Sequence, residues 1–485
     1  MLTFQDFESA SDKLKFIREA IQEHDKSSLC KTARDADLYD RQRNKTIHEY
    51  VRTMFELTGT PVEDFTASNN KIASNFFHRL NTQRCAYSLG NGVSFTRTEK
   101  RRNEDGTSVT VDLTKEMLGP KFDTDLKKAG YKALIHGVAF CFWNVNRMHV
   151  FPVTQFVPLW DEFDGSLRAG IRYWRLDKDK PMVVVLYEED GYTKYKSKDD
   201  SEFSLELYEG KKNYVTKFQR TNADGAEDVV GEENYGSLPI VPLWGSDLHQ
   251  STLVGMQEAI DSYDLIRSGF ANDLTDCAQI YWIVKNCGGM TDTALAQFRD
   301  RLKINHIAVT DGDVDGSGDV VPFTQDIPYQ ARQAYLDNIR AGIYEDFGAL
   351  DVHTVAAGAT NDHIDAAYQP MDENAADFEY QIIECVQQIL ALVGIEDTPI
   401  FKRNRISNQK EQTEMVLSSS DYLDEETVLQ KLPFITPDEV QKILLRRDSE
   451  DKDRMTGGVG DEEEDLTGAL LEALGAAGAE DGREG

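Results

Sequence analysis

Two runs of apolar positions at helical spacing, separated by a short stretch of small residues, stand out between residues 326 and 394. In each run the apolar side chains recur every three, four or seven positions, which places them on one face of a helix. The intervening stretch, 351–361, is rich in Ala and offers no bulk to pack. The pattern predicts two helices joined by a slender loop. The stripes are Tyr329, Leu336, Ile339, Ile343 and Phe347, then Phe378, Ile382, Val386, Ile389 and Val393.

Two prolines refine this prediction. Pro328 suits the first turn of the first helix, where no backbone N–H is needed. Pro370 lies within the second helix, where its ring removes one backbone hydrogen bond and crowds the preceding turn. We therefore expect a kink near residues 366–369 and treat Pro370 as a hinge. Helix, loop and kinked helix form one unit, which we interpret as a loop held out on a rigid arm.

The first part of the chain predicts further helices. Residues 4–24 suit one amphipathic helix, and residues 28–58 suit one or two more. A helix that carries Ile72, Phe76, Leu80 and Tyr87 follows, and Gly-Asn-Gly at 90–92 stops it.

A sheet is predicted next. From about residue 130, short runs rich in Val, Tyr, Phe and Trp alternate with Asp-Gly and Glu-Gly turns roughly every ten residues, the pattern of an antiparallel meander. The basic, polar run 96–109 predicts a surface loop or hairpin, although its Lys-Arg-Arg also suits a phosphate-binding patch. Residues 1–245 therefore form an α+β region, with helices first and a sheet second.

A long rod follows the sheet. Residues 251–279 predict one helix, and at 1.5 Å per residue it is roughly 40 Å long. Its partner is the helix 328–348. Between them, 280–325 predict a compact α/β insertion at the far tip of the helix pair.

The rest of the chain is predicted to be helical and then disordered. Residues 401–455 suit three short helices, one with Pro437 in its first turn after Thr436. Residues 456–485 combine acidic runs with Gly and Ala, so we expect an exposed, largely disordered tail.

Charge and composition narrow the class of protein. The 485 residues include 53 Lys and Arg against 85 Asp and Glu, a net charge of −32, which opposes binding to free nucleic acid or anionic membrane. The 40% hydrophobic content excludes wholesale disorder. Six Cys without a C-x-x-C motif favour reduced thiols in an intracellular protein. The charged N-terminus is not a signal peptide, and no apolar run nears the roughly twenty residues that span a bilayer. We expect a soluble protein with no membrane contact.

One stretch resembles a calcium loop. Asp311, Asp313, Asp315 and Gly316 occupy its first, third, fifth and sixth places. The twelfth place is Pro322 rather than a bidentate Glu, and a strand follows where a helix is needed. A polar hairpin turn is therefore favoured over a metal site.

Motifs for catalysis are absent from the sequence. It contains no G-x-x-x-x-G-K-[ST], no G-x-S-x-G and no H-E-x-x-H. His353 and His363 flank the slender loop and suit either contact with a phosphate or ordinary polar loop positions. We therefore predict no catalytic residues, no metal and no cofactor.

A succession of segments makes the chain recognisable. Along the chain these are NNKIASNFFHRLNTQRCAYSLGNGVSF, LPIVPLWGSD, ANDLTDCAQ, EDFGALDV, AAYQPMDENAADFEYQIIECVQQIL and FKRNRISNQKEQTEMVL. In this order they resemble the portal proteins of tailed bacteriophages, in particular those of phages with long non-contractile tails. The resemblance covers about residues 28 to 450.

The resemblance implies a portal fold with named regions. After an N-terminal helix, 1–27, these regions are the α/β wing (28–250), the stem helices (251–279 and 326–350), the small α/β clip (280–325), the tunnel loop (351–361), a kinked wing helix (362–400), the helical crown (401–455) and the acidic tail (456–485).

It also implies a function and partners. Portal proteins form a ring, usually of twelve subunits, at one capsid vertex, and a separate terminase pumps double-stranded DNA through it. The expected partners are the terminase large subunit, the major capsid protein and scaffold, and head-completion or adaptor proteins. The tunnel loop would touch the DNA backbone with uncharged groups, while acidic walls keep the duplex mobile. Its expected channel residues are His353, Thr354, Val355, Ala357, Gly358, Thr360 and Asn361.

Two other functions compete with this one. A capsid-associated structural or adaptor protein without a DNA channel would lack a long stem. A calcium-dependent enzyme would hold an ion at residues 311–315.

Overall fold

Helices precede two antiparallel sheets in the chain and long helices follow them, so the fold is mixed α+β. The chain divides into two compact units, Met1–Ile406 and Ser407–Gly485. The computed structural model describes residues 2–55, 60–64, 67–102, 108–197, 204–220, 227–277, 281–285, 319–323, 328–352, 361–405 and 409–432, with single positions between 291 and 447.

The helices of the first unit are α1 (Phe4–Ser9), α2 (Lys13–Lys26), α3 (Ser28–Asp40), α4 (Lys45–Glu49), α5 (Phe76–Leu89), α6 (Leu113–Leu118), α7 (Phe122–His136), α8 (Gln257–Cys277), α9 (Tyr329–Phe347) and α10 (Asn361–Val393). The strands are β1 (Thr53–Phe55), β2 (Pro61–Glu63), β3 (Val93–Ser94), β4 (Thr98–Arg102), β5 (Ser108–Asp112), β6 (Val138–Asn144), β7 (Arg147–Pro152), β8 (Phe156–Trp160), β9 (Leu167–Trp174), β10 (Val183–Glu188), β11 (Gly191–Ser197), β12 (Leu205–Lys212), β13 (Val215–Arg220), β14 (Glu227–Glu233), β15 (Ile240–Trp244), β16 (Tyr281–Lys285), β17 (Asp319–Phe323) and β18 (Ile400–Phe401).

The single helix predicted over residues 4–24 is wrong, because the chain breaks it into α1 and α2. The backbone is extended at Ala10, and the Asp12 carboxylate then caps α2 by accepting from the N–H of Lys15 at 3.1 Å. The apolar faces of both helices, which include Phe7 and Ile17, pack on one face of a sheet.

The predicted antiparallel strands form two sheets rather than one meander. Five strands pair in the order β12-β11-β10-β9-β8, and three pair in the order β15-β6-β7. Strand β15 joins β6 from almost a hundred residues away, with Ile240 opposite Phe142. The run 96–109 contains the hairpin β4–β5.

The second half of α10 lies at the centre of the largest apolar cluster. Phe378, Ile382 and Ile389 are fully buried there. Helix α7 approaches closely at Gly130, where an added Cβ would lie 2.9 Å from the Phe378 ring. The apolar stripe predicted for this helix is therefore the face that packs into the core.

Helices α8 and α9 pack against each other. The Arg332 guanidinium forms an ion pair with Asp273 and stands 5.9 Å from the Phe270 ring centre. Helix α8 begins six residues later than predicted, since residues 251–256 form turns, whereas α9 matches the predicted 328–348 within one residue at each end. Beyond α8 and before α9, β16 pairs with β17. Apart from single positions, the rest of 280–325 lies outside the described residues, and so do Asp311, Asp313, Asp315 and Gly316, for which a hairpin turn is favoured over a metal site.

A polar stripe on α8 binds the non-helical segment that precedes α5. The backbone N–H groups of Asn70, Ile72 and Ser74, alternate residues, donate to side chains spaced four apart on α8. Two extended residues span about 6.6 Å and four helical residues about 6 Å, so the two repeats match. The acceptors are Asn272, Ser268 (3.0 Å) and Asp264 (2.8 Å).

The second unit contains α11 (Gln409–Ser418) and α12 (Glu425–Lys431). Asp424 caps α12 by accepting from the N–H of Thr427 at 3.1 Å. Of the helix predicted after Pro437 only single positions are described, among them Val440, and these are helical. The predicted tail, 456–485, lies outside the described residues.

Candidate functional site

The segment predicted to touch DNA runs from the end of α9 to the start of α10. Its expected channel residues His353, Thr354, Val355, Ala357, Gly358 and Thr360 lie outside the described residues. Val352, just before them, is 60% exposed. The last expected channel residue, Asn361, is the first residue of α10. The structure thus defines the two ends from which the segment emerges.

The first end leaves α9 through a tight glycine cap. Gly348 has a left-handed backbone (φ 62°), and its N–H donates to the Glu345 carbonyl at 3.0 Å. The N–H of Ala349 reaches back to the Tyr344 carbonyl at 2.9 Å, which completes a Schellman motif. A Cβ at Gly348 would lie 1.9 Å from the Asn374 amide nitrogen, so only glycine fits.

Three side-chain contacts hold the end of α9 and the residues that follow it. Two amides, from α5 and α10, donate to backbone carbonyls, and one arginine of α9 binds a carboxylate at the segment's first residue. The pairs are Asn374 Nδ2 with the Phe347 carbonyl (3.0 Å), Gln83 Nε2 with the Leu350 carbonyl (3.0 Å), and Arg340 Nη2 with both oxygens of Asp351 (2.8 and 2.9 Å).

The two ends of the segment meet in one small apolar cluster. Leu350 lies on the first side and Ile364, on the first turn of α10, on the second. The Tyr87 ring of α5 stacks on the Tyr368 ring in the same cluster, with centres 5.6 Å apart. The root of the segment is therefore a packed structure.

Pro370 is exposed, and α10 continues through it without a break in its assigned helix. One guanidinium bridges the helix on both sides of the proline. Arg405 donates to Asp365, before Pro370, at 3.0 Å, and also to Asp372, after it. We call this the Arg405 bridge. It ties together two turns at the point where the proline removes a backbone hydrogen bond.

Asp372 is the centre of a wider polar network. It accepts from the Tyr87 hydroxyl at 2.6 Å and from Arg403 at 2.8 Å. Arg403 also binds Glu379 through two nitrogens, at 2.8 and 3.1 Å. Partial burial acts to raise the pKa of Asp372, but the hydrogen bonds from Tyr87 and Arg405 outweigh it and the pKa is lowered. Burial, followed by the bond to Asp372, raises the pKa of Tyr87 to about 12.

Sequence reasoning missed the arginines of this network. Arg403 and Arg405 lie in FKRNR, which was read only as the start of the crown. The sequence did carry a signal for an ion-pair network. Two arginines separated by a single residue in an acidic chain are expected to pair with carboxylates. Their partners on α10 lie 24 to 40 residues earlier, however, and helix periodicity does not reveal such pairs.

The exposed face of α9 carries small, amide and acidic side chains together with a tyrosine. Both arginines of the helix, Arg332 and Arg340, turn towards the rest of their own subunit, where Asp273 and Asp351 bind them. No lysine or arginine of α9 therefore lies on its open face. The exposed residues there include Ala331, Gln333, Ala334, Tyr335, Asp337, Asn338, Ala341, Glu345 and Asp346.

Neither a metal site nor a membrane-spanning helix occurs among the described residues. Over the described ranges, no group of three or more His, Cys, Asp or Glu side chains is arranged to hold a metal ion. None of the helices described here is both long and apolar enough to cross a bilayer. His363 lies exposed on the first turn of α10, while His353, its predicted companion, is outside the described residues.

Comparison with known proteins shows which family of proteins this chain resembles. A family model described as phage portal protein, SPP1 Gp6-like, matches residues 18–453. The portal protein of Clostridium phage phiCD119 is 24% identical over 407 residues, covering 78% of this chain and 85% of that protein. The portal protein of Bacillus phage SPP1 is 22% identical over 484 residues, covering 94% and 90%. The neck of a native GTA particle, computed with C12 symmetry, is similar over 75% of this chain and 90% of that chain, with a TM-score of 0.38 and 11% identity.

The protein is a phage portal protein, a structural component that forms the DNA conduit at a capsid vertex of the virion. Within that class it belongs to the SPP1 Gp6-like family. The resemblance drawn from the sequence is confirmed. So is the prediction that the chain is not an enzyme, since this family is structural.

Proposed function

We propose that the chain closes into a ring, expected to contain twelve subunits, in which α8 and α9 form the stem around the DNA and 351–361 form the tunnel loop. In this assignment 28–250 and 362–400 form the wing, and 280–325 form the clip. The clip is the docking surface for the terminase large subunit and the adaptor proteins. The crown is 401–455, and the unit boundary after Ile406 supports a crown that begins near there.

One observation carries the proposal. Helix α9 turns both of its arginines inward onto Asp273 and Asp351 and leaves a face without Lys or Arg open. A duplex presents about one phosphate charge per 1.7 Å, so a stem helix of 21 residues, roughly 32 Å long, faces just under twenty phosphates. A basic wall would bind that length and hold it. A wall without cations lets the duplex slide, and it also accounts for the net charge of −32.

The same face offers a subunit contact. A ring closes when a heterologous contact repeats by rotation. Ala331, Ala334 and Ala341 leave room for a neighbouring helix to approach closely, so the open face of α9 serves both the contact between subunits and the channel wall.

The tunnel loop moves as DNA passes, and Pro370 is its hinge. Asp365 is largely exposed, with 65% side-chain accessibility, whereas Asp372 has 22%. The Arg405 bridge therefore opens more readily at Asp365. The loop and the first turns of α10 then tilt while the rest of the helix stays in the core.

Ring formation tests the first part of the proposal. Negative-stain images and mass photometry of the purified protein should show a ring with a central hole. A protein that stays monomeric, even when produced together with the phage's shell proteins, would exclude the proposal.

Charge reversal tests the sliding wall. Measured on rings that have assembled, Asp337→Lys with Glu345→Lys should slow DNA packaging in a defined assay, and added salt should partly restore the rate. Asp177→Lys with Asp179→Lys, in the turn between β9 and β10, changes the net charge equally and should package normally. Equal packaging by the two double variants would show that α9 does not face the DNA.

A further inference from the structure

A phenylalanine stands almost fully exposed at the tip of the hairpin between β8 and β9. Phe163 is 91% exposed. Its neighbours Glu162 and Asp164 are also exposed, so an aromatic ring projects from an acidic setting. Single exposed apolar side chains are common on protein surfaces, so exposure alone does not mark Phe163 as a contact.

The hairpin tip is held in one conformation. Asp161 accepts from the N–H of Phe163 at 2.8 Å, and Asp164 accepts from that of Ser166 at 2.7 Å. Between Asp161 and Ser166 a backbone hydrogen bond of 2.8 Å closes the turn, and Gly165 takes the left-handed conformation (φ 70°) that it needs.

Two further supports reach the tip from outside. Arg168 of β9 forms ion pairs with Asp164 and with Glu189, each at 3.2 Å. The N-terminal segment also holds Glu162, whose side chain accepts from Thr3 Oγ1 at 2.7 Å. A tip fixed in this way loses little conformational entropy on binding, which makes its aromatic side chain an efficient anchor.

An open cleft lies beside the tip. It has a volume of about 700 Å³, and Asp164 and Arg168 belong to both the tip and its lining. The Trp160 and Trp244 rings, stacked with centres 6.0 Å apart, form part of its wall. Glu189 and Glu384 line it as well, beside the Arg168 that pairs with Glu189, so the cleft combines aromatic rings with charged groups of both signs.

We propose that Phe163 and this cleft form a docking surface for another protein of the virion, one that offers an apolar pocket with a rim of Lys or Arg side chains. The pocket receives the Phe163 ring. The basic side chains pair with Glu162 and with the carboxylates that line the cleft. A second copy of this chain is a poor occupant, because its net charge of −32 opposes an acid-flanked tip. The surface is separate from the proposed stem and tunnel loop.

Site-specific photo-crosslinking identifies the occupant. The crosslinker p-benzoylphenylalanine, placed at position 163 in the full chain, is assembled into procapsids with the phage's own head proteins and irradiated. We expect a crosslink to a head protein, at a basic-rimmed apolar site that mass spectrometry can map. The same crosslinker at Leu176, which is 85% exposed in the turn between β9 and β10, is the matched control and should crosslink weakly. A crosslink at 163 to another copy of this chain, or none at all, would overturn the proposal.

Incorporation into procapsids gives a second measure. Phe163→Ser and Glu162→Lys should each lower the ratio of portal to shell protein at limiting portal by at least about tenfold. Ring formation and thermal unfolding should match the wild type, and Leu176→Ser should incorporate normally. Normal incorporation of both variants, or loss of the ring itself, would contradict a docking role.

Discussion

One nitrogen of the Arg340 guanidinium donates to both carboxylate oxygens of Asp351, at 2.8 and 2.9 Å. The arginine belongs to α9 and the aspartate is the first residue of the proposed tunnel loop, so this pair fixes the point where the segment leaves α9. Asp351 has only 12% side-chain accessibility, and a partly buried charged pair depends on both members.

Removing the charge of Asp351 should loosen this root. We expect Asp351→Asn to lower the free energy of unfolding by about 1–2 kcal/mol, since a charge-assisted hydrogen bond is weakened and Arg340 loses its partner. Limited proteolysis should cut faster within 351–361. Asp337→Asn, on the open face of α9, is the control and should change neither quantity. Unchanged proteolysis of Asp351→Asn would mean that the pair does not restrain the loop.

Loss of the Arg405 bridge should free the first turns of α10. Arg405→Ala removes the bonds to Asp365 and Asp372 and should destabilise the protein by about 1–2 kcal/mol. Hydrogen exchange should speed up most in residues 361–370 and little in 378–393, which the core buries. Arg405→Lys keeps the charge but reaches one carboxylate at a time. Its stability and its exchange rates should therefore lie between those of the wild type and those of Arg405→Ala. Uniform exchange along α10 would exclude a local role for the bridge.

Pro370→Ala should raise the stability of the protein and slow DNA packaging. Alanine restores a helical N–H and removes the clash of the proline ring, so thermal stability should rise, by up to about 3 kcal/mol. Packaging should slow, because a straighter and stiffer α10 restrains the tunnel loop. The measurement is DNA packaged per procapsid with time, with Gln369→Ala as the control. Packaging at the wild-type rate by the proline variant would remove the hinge from the mechanism.

Acid should weaken the contact that the chain after α10 makes with Thr96 and Thr114. Burial acts to raise the pKa of Asp397, but bonds from Thr96, Thr114 and backbone N–H groups outweigh it and lower the pKa to about 2. The folded pKa lies below the unfolded value of about 4, so the stabilisation is complete above pH 4 and is lost as the pH falls towards 2.

Asp397→Asn provides the measurement for this pH dependence. The difference in unfolding free energy between wild type and variant should be largest above pH 4 and shrink towards pH 2. Asp362→Asn, exposed on the first turn of α10, is the control. A difference that stays constant from pH 6 to 2 would show that Asp397 does not titrate in this window.

The long helices could be predicted from the sequence because each has an apolar stripe that one core uses. Helix α9 and the core-facing half of α10 follow directly from residues such as Ile343 and Ile382. The start of α8 was misjudged, since residues 251–256 continue the apolar pattern but form turns that contact α7 through Ser251 and Thr252. The break between α1 and α2 was missed because a capping residue, Asp12, outweighs a continuous apolar stripe.

The polar contacts of the candidate site could not be predicted from the sequence. The Arg405 bridge joins residues 33 and 40 positions apart, and Gln83 contacts a carbonyl 267 residues away. Such pairs depend on the packing of the whole unit, so local propensity does not report them. The tunnel-loop residues themselves rest on family resemblance and stay predictions.

The three bonds between Asn70, Ile72 and Ser74 and the stripe on α8 have a mechanical consequence. Because the repeat of the segment matches the repeat of the stripe, α8 cannot slide along its own axis without breaking all three hydrogen bonds at once. Advancing the helix by one residue would also rotate its stripe by about 100°, away from the segment it binds. If the diameter of the conduit changes during packaging, each α8 must therefore move together with the rest of its own subunit as one rigid piece.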